Sequence, residues 1–289
     1  MPEFPEVDLM CSWLDRELGL MGGTGALWQI SDVEIVRDNG KYLPGNEIDL
    51  LRGCSIRWVR RRGKYMIFGL LEPGVILCHN AMSGYWDTES HPWTFDYVEG
   101  KRQATEGDVR VRMRVSKHGP DHGPDRILRF HDARLFGSLR RIEGHVTQIE
   151  PLGPEPIATE MTLRPHEQHT LRDDDLGAIR DANRRNRNLT IKEFLMDQRN
   201  IAGIGNIYSA EILHKAGVRP DRPAHDVSDL EILHISISIK SELRLAIARN
   251  VDYSGLHVYR RRQCSSCSAL IEMVKIKGRS SYFCPDCQK

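Results

Sequence analysis

At 289 residues, with 40% hydrophobic and 28% charged side chains and a formal net charge of +1, the chain has the composition of an ordinary globular protein of about two domains. A near-neutral balance excludes a uniformly cationic coat, and seven cysteines in a chain this long do not suggest a secreted disulfide scaffold. No apolar run is long enough to span a bilayer, and the first residues carry acids where a signal peptide carries a basic stretch. An intracellular protein with no membrane partner is therefore expected.

The chain begins Pro2-Glu3-Phe4-Pro5-Glu6-Val7. Once Met1 is removed, the Pro2 secondary amine is a nucleophile able to form a Schiff base with carbon at the carbonyl oxidation level. Glu3 sets a carboxylate beside it for proton transfer. The same residues also read as a disordered start, with Pro5 in the first turn of a helix. Val7, Cys11, Leu14 and Leu18 recur at helical spacing and Gly19 closes the run, which keeps Glu6 near the helix N-terminus.

From about Leu27 to Phe136 the period changes to short β-like runs. They are Ile30 to Val36, Ser55 to Val59, Tyr65 to Leu71, Val75 to His79, Val109 to Val115 and Ile127 to Phe130. Turn residues separate them, which predicts an antiparallel sandwich or barrel and not a βαβ series. Cys11, Cys54 and Cys78 sit singly in apolar surroundings as buried thiols.

Three basic clusters stand out: Arg57, Arg60, Arg61, Arg62 and Lys64; Arg184, Arg185 and Arg187; Arg260, Arg261 and Arg262. Each is readable as a solvated face, and together they imply an uneven field that draws in a polyanion. Lys64 lies in a basic turn that opens a strand. His79 ends a strand and leaves Met82 in the following loop, and a second loop, Asp132 to Gly137, carries Arg134 and Phe136. Loop-borne Met, Arg and Phe suit a wedge that opens a duplex and fills the gap.

Three prolines within Pro151 to Pro156 prevent regular structure and mark a linker. Beyond it, helices are predicted over Asp173 to Asn183, Ile191 to Met196, Ile207 to Ala216, stopped by Gly217, and Leu230 to Ala248. Between the second and third lies Asp197 to Asn206, whose glycines admit a close ligand. The helix starting near Asn206 is expected to point unpaired N–H groups outward as a phosphate seat. Cys264-x-x-Cys267 and Cys284-x-x-Cys287, sixteen residues apart, have the spacing of a closed, structural four-cysteine zinc site. The strands between them flank Lys277-Gly278-Arg279, a hairpin tip presenting an arginine.

With these motifs in this order, nearly the whole chain resembles the formamidopyrimidine-DNA glycosylase/endonuclease VIII family of base-excision repair enzymes. The resemblance implies an α+β protein. Residues 1–150 would form an N-terminal β-sandwich catalytic domain with an N-terminal helix, and 151–159 a linker. Residues 160–255 would form a helix–two-turn–helix DNA-binding domain, and 256–289 a zinc-finger β-hairpin. It makes Pro2 the nucleophile, Glu3 and Glu6 its acidic partners and Lys64 the hairpin lysine. His79, Asn206 and Arg279 match the phosphate-gripping residues. Met82, Arg134 and Phe136 match those that fill the space left by a flipped nucleotide and meet the opposite base. The implied activity is a DNA glycosylase with abasic-site lyase chemistry, cutting on both sides of the sugar by β,δ-elimination. The implied setting is a monomer acting on damaged double-stranded DNA at the nucleoid, with one structural zinc ion and no organic cofactor.

Phe4 and Asp8 depart from the family's more usual Leu and Glu, and Leu135 stands where a second arginine is common. Asn250 to Gln263 is short where the branch specialised for oxidised purines carries a longer loop over the flipped base. Oxidised purine, oxidised pyrimidine and abasic DNA therefore all remain as substrate classes. The alternatives are a catalytically inactive DNA-binding protein of the same fold, against which Pro2, Glu3 and Lys64 argue together, and a zinc ribbon attached to an unrelated enzyme.

Overall fold

A computed structural model describes residues 2–20, 27–92, 105–118, 123–144, 151–162, 170–172, 174–182 and 189–289. The chain divides into two compact units. The first comprises Met1–Pro2, Glu6–Glu150 and Thr159–Pro165, and the second Glu3–Pro5, Pro151–Ala158 and His166–Lys289.

The helix α1 (Phe4–Glu17) begins in residues of the second unit, and its body belongs to the first. It ends as the sequence predicts. Gly19 takes φ +63°, its N–H donates to the Arg16 carbonyl and the Leu20 N–H donates to Asp15, which is a Schellman closure. Val7, Cys11, Leu14 and Leu18 enter the core of the first unit.

Among the described residues, eight strands enclose that core: β1 (Leu27–Ile35), β2 (Ser55–Arg62), β3 (Tyr65–Leu70), β4 (Val75–His79), β5 (Tyr85–Thr88), β6 (Val109–His118), β7 (Arg126–His131) and β8 (Ser138–Ile142). They form one antiparallel sheet in the order β5-β7-β6-β1-β2-β3-β4-β8. Bulges at Ile30/Asp32, Ile56/Trp58 and Val109/Val111 bend it. The sheet doubles over into a sandwich: Trp86 on β5 lies 5.0 Å from the Phe68 ring on β3 although four strands separate them in the sheet order. Trp86 also lies 5.2 Å from Phe130 and donates its indole N–H to the Cys78 sulfur at 3.3 Å. Each such large side chain removed from water contributes roughly 1.5–3 kcal/mol. Strands β5 and β8 and the short helix α2 (Glu47–Leu51) go beyond the runs visible in the sequence pattern.

The basic cluster at Arg57 to Lys64 is only partly a surface. Arg57 is exposed, but Arg61 is 0% exposed. Its guanidinium donates to Asp8 at 2.9 Å, to the Thr162 hydroxyl at 3.0 Å and to the Gly63 carbonyl at 3.3 Å, while Arg60 pairs with Asp15 at 2.9 Å. Arg60 and Arg61 hold α1 to the β2–β3 hairpin, and the adjacent Arg62, 2% exposed, is buried as well. The cluster at Arg184, Arg185 and Arg187 lies outside the described residues. In the third, Arg260 and Arg262 are exposed, whereas Arg261 donates to the Leu256 carbonyl at 3.0 Å.

The second unit contains α3 (Asp175–Ala182), α4 (Ile191–Met196), α5 (Asn206–Ala216), α6 (Asp229–Ala248) and the hairpin β9 (Glu272–Ile276) and β10 (Arg279–Phe283). Of the helix expected over Asp173 to Asn183, both end residues fall outside the described set. Capping boxes start α4 (Thr190 with Glu193) and α6 (Ser228 with Glu231), and Gly217 ends α5 at φ +73°. Ile191, Phe194, Leu195, Ile212, Leu213, Ile235 and Ile239 build its core together with Phe4.

The proline-rich segment forms no helix or strand, yet it is fastened within this unit. The Gly153 N–H donates to the Gln198 carbonyl at 2.8 Å, and the Pro154 carbonyl accepts from Ala202 at 3.0 Å. The hairpin turn has Lys277 at φ +43° and Gly278 at φ +73°, the two positive angles of a type I′ turn. Among the described residues no helix is long and apolar enough to cross a membrane.

Candidate active site, nucleic-acid interface and metal centre

In the first unit, Pro2 is buried just ahead of α1 and Glu6 is buried in its first turn. Lys64 is half-buried in the two-residue turn joining β2 and β3, after Gly63 at φ +55°. His79 pairs across the sheet with Tyr65, and their rings lie 4.9 Å apart. Its Nδ1 accepts the Ala81 N–H at 3.2 Å. Burial, and then the charge of Lys64, push the His79 pKa down to about 4. His79 is thus a neutral imidazole at neutral pH with its proton on Nε2, an uncharged donor. Beyond it, Met82 is 42% exposed and Phe136 is 55% exposed. The exposed Arg134 points Nη1 at the Met82 sulfur, 3.6 Å away, so the two loops bring these side chains together.

In the second unit, the N-terminus of α5 is not an open phosphate seat. Its N–H groups are taken by a carboxylate of the same chain. Glu3, 1% exposed, accepts from Gly205 at 3.0 Å, Ile207 at 2.9 Å and Tyr208 at 3.1 Å. The helix dipole and the three donors compensate a buried anion there as they would a bound one. Asn206, at the start of α5, accepts from the Lys192 ammonium at 2.7 Å, and Lys192 also donates to the Ser281 hydroxyl at 2.7 Å. Burial lowers the Lys192 pKa to about 8; the nearby Glu3 opposes the shift and Arg279 adds to it. Arg279 stands exposed at the start of β10, across from Ile276. Lys192 escaped the sequence reading, although a lysine amid Ile191, Phe194 and Leu195 was a visible anomaly.

The four cysteines converge. All four sulfurs lie within 4.8 Å of one another, with Cys267–Cys284 at 3.4 Å and Cys264–Cys287 at 3.9 Å. Tetrahedral zinc with Zn–S near 2.3 Å sets its sulfurs roughly 3.8 Å apart, so this set fits the ion without an open position. The His214 Nε2 lies 3.2 Å from the Cys264 sulfur and the Ser266 N–H donates to it at 3.4 Å. Such bonds favour a thiolate and orient it toward a metal. Beside the cluster, the Glu211 carboxylate accepts the N–H groups of His257, Val258 and Tyr259 at 2.6, 3.1 and 2.8 Å, which fastens the segment leading into the hairpin. Neither His214 nor Glu211 is marked by spacing in the sequence.

Sandwich, helical unit and cysteine hairpin are, as a set, the architecture of a helix–two-turn–helix DNA glycosylase. Family models match in the same order: the formamidopyrimidine-DNA glycosylase N-terminal domain over residues 1–139, its H2TH domain over 152–257, and the zinc finger found in FPG and IleRS over 263–289. The chain belongs to the formamidopyrimidine-DNA glycosylase family. It is 32% identical to the formamidopyrimidine-DNA glycosylase of Listeria monocytogenes over 313 aligned residues, covering all of both chains. It is also 32% identical to that of Synechococcus, covering 100% of this chain and 99% of the other. Among solved structures, it is similar to the Lactococcus lactis enzyme bound to abasic-site DNA, with TM-score 0.75, 27% identity and 99% of each chain covered. A complex with carbocyclic 8-oxo-G containing DNA matches at TM-score 0.75 and 26% identity over the full length of both chains.

Proposed function

We propose that the chain is a base-excision DNA glycosylase with abasic-site lyase activity on damaged duplex DNA. The observation that carries this reading is the Glu3 carboxylate, locked by three backbone donors and directly following Pro2 in the chain. A buried, fully bonded anion is costly to build and suits chemistry at a neighbouring amine.

In the proposed reaction a damaged nucleotide is turned out of the duplex. The Pro2 nitrogen then bonds to the sugar C1′ as the C1′–base bond breaks, and the base leaves with its electron pair and a proton. Opening of the sugar ring gives the iminium, and Glu3 carries the protons exchanged between the sugar oxygen and the leaving groups. Loss of the C2′ proton expels the 3′ phosphate, and a second elimination expels the 5′ phosphate. Glu6 supports this site and Lys64 reaches the reacting strand. His79, Asn206 and Arg279 hold phosphates, and Met82, Arg134 and Phe136 fill the vacated stack. One zinc ion held by Cys264, Cys267, Cys284 and Cys287 would stiffen the hairpin that presents Arg279. No organic cofactor enters this scheme, and a monomer working on genomic DNA inside the cell suffices for it.

The test is borohydride reduction on a duplex with one abasic site, followed by mass spectrometry of the cross-linked peptide. The expected product is a covalent adduct on Pro2 with Met1 absent, and its yield should be weakened in Pro2→Gly, which alters the amine. Binding without any adduct would leave a DNA-binding protein of the same fold. Excision from single-lesion duplexes carrying an oxidised purine or an oxidised pyrimidine then assigns the lesion.

A further inference from the structure

We propose that Asp132 is a positioning residue that sets Met82 relative to Arg134 and Phe136, and through them governs the choice of base opposite the lesion. The proposal rests on the reading of these three side chains as the wedge. Asp132 is 0% exposed and is the first residue after β7. Its Oδ1 accepts the Ser83 hydroxyl at 2.9 Å, from the loop that carries Met82. Its Oδ2 accepts the Gly137 N–H at 2.6 Å, from the end of the loop that carries Arg134 and Phe136, and the Tyr42 hydroxyl at 2.9 Å. Its main-chain carbonyl receives the Leu135 N–H at 3.2 Å and the Arg110 Nε at 2.8 Å. Asn39 closes the same loop from outside by donating to the Leu135 and Gly137 carbonyls, both at 3.0 Å.

The two loops need this restraint. Ala81 sits at φ +49° beside Met82, and Leu135 sits at φ +60° between Arg134 and Phe136. Both are left-handed conformations that non-glycine residues hold only when surrounding bonds impose them. A single carboxylate therefore spans two strained loops, and the 3.6 Å approach of Arg134 to the Met82 sulfur is its result. An apolar side chain at this position would fill the space and leave the loops unlinked.

The experiment compares wild type, Asp132→Asn, Ser83→Ala, Tyr42→Phe and Arg134→Ala on duplexes that differ only in the base opposite one lesion. The quantity read is the ratio of kcat/KM between the best and worst opposite base. Asp132→Asn turns a donor toward groups that themselves donate, and its ratio should fall about fivefold. A residue that served only stability would lower both rates together and leave the ratio intact. If Asp132→Asn does not fold, Ser83→Ala takes its place, because it removes the bond to the Met82 loop and keeps the carboxylate. Its ratio should fall further than that of Tyr42→Phe, whose hydroxyl belongs to neither loop. An Arg134→Ala ratio equal to wild type would overturn the wedge reading itself. A lowered Arg134→Ala ratio with unchanged Asp132→Asn and Ser83→Ala ratios would overturn the role of Asp132 alone.

Discussion

Gly205 has no side chain because Glu3 occupies the place where one would be. A Cβ there would lie 2.3 Å from the Glu3 carboxyl carbon, and one at Gly203, already at φ +92°, would lie 2.8 Å from the Phe4 ring. The glycines that sequence reasoning assigned to a phosphate thus admit the start of the chain itself. Gly205→Ala should push the carboxylate off its three donors. A loss of about 1–3 kcal/mol in denaturant unfolding is expected, with a larger proportional loss of borohydride-trapped adduct. A normal adduct yield in a destabilised protein would show that Glu3 orientation is not what the chemistry uses. The same lesson applies at Arg61. Its partner Asp8 lies 53 residues away, so nothing local in Arg60-Arg61-Arg62 tells that Arg61 and Arg62 are buried while Arg57 is exposed.

At the scale of elements, the capping boxes do measurable work. Glu231 bonds the Ser228 N–H and hydroxyl, both at 2.8 Å, and pairs with Arg222 through both oxygens. The Arg222 bond, with Ser228 assisting against burial, pulls its pKa from 4.5 down to about 2. A carboxylate with a lowered folded-state pKa stabilises the fold above its ordinary value, and that contribution drains away as pH falls from about 4.5 through about 2. Glu231→Gln should therefore lower Tm at neutral pH and converge on wild type at the acid end, which a pair of pH-dependent melting series would check. Helical period, with Gly217 as a stop, let α4, α5 and α6 be read from sequence to within a residue of their ends, and the capping boxes fix those ends in the fold. Strand β5 (Tyr85–Thr88) has four residues and no clear alternation, and β8 carries Arg140 and Arg141 in place of apolar partners. Both are strands only because β7 and β4 pair with them from a distance. The cysteine site was legible because its ligands come as close pairs in sequence, while Lys192, Asp132 and Glu211 acquire their partners only on folding.

At the scale of the whole molecule, two units with separate cores carry the residues assigned to function, and the four-cysteine cluster belongs to one of them. Calorimetry should resolve two transitions. Chelating zinc should lower the transition of the helical unit, since metal affinity is folding free energy there, and leave that of the sandwich in place. A shift of both by the same amount would refute the separation. The pairing of Glu3 with Gly205, Ile207 and Tyr208 closes a span of more than two hundred residues. On a ribosome adding roughly 5–20 residues per second, its partners are made about 10–40 seconds after Glu3 itself. The nascent chain therefore carries the Glu3 carboxylate long before it has anywhere to dock. Any fragment that stops short of α5 lacks the donors that hold Glu3, so that carboxylate is organised only in a chain translated past its midpoint.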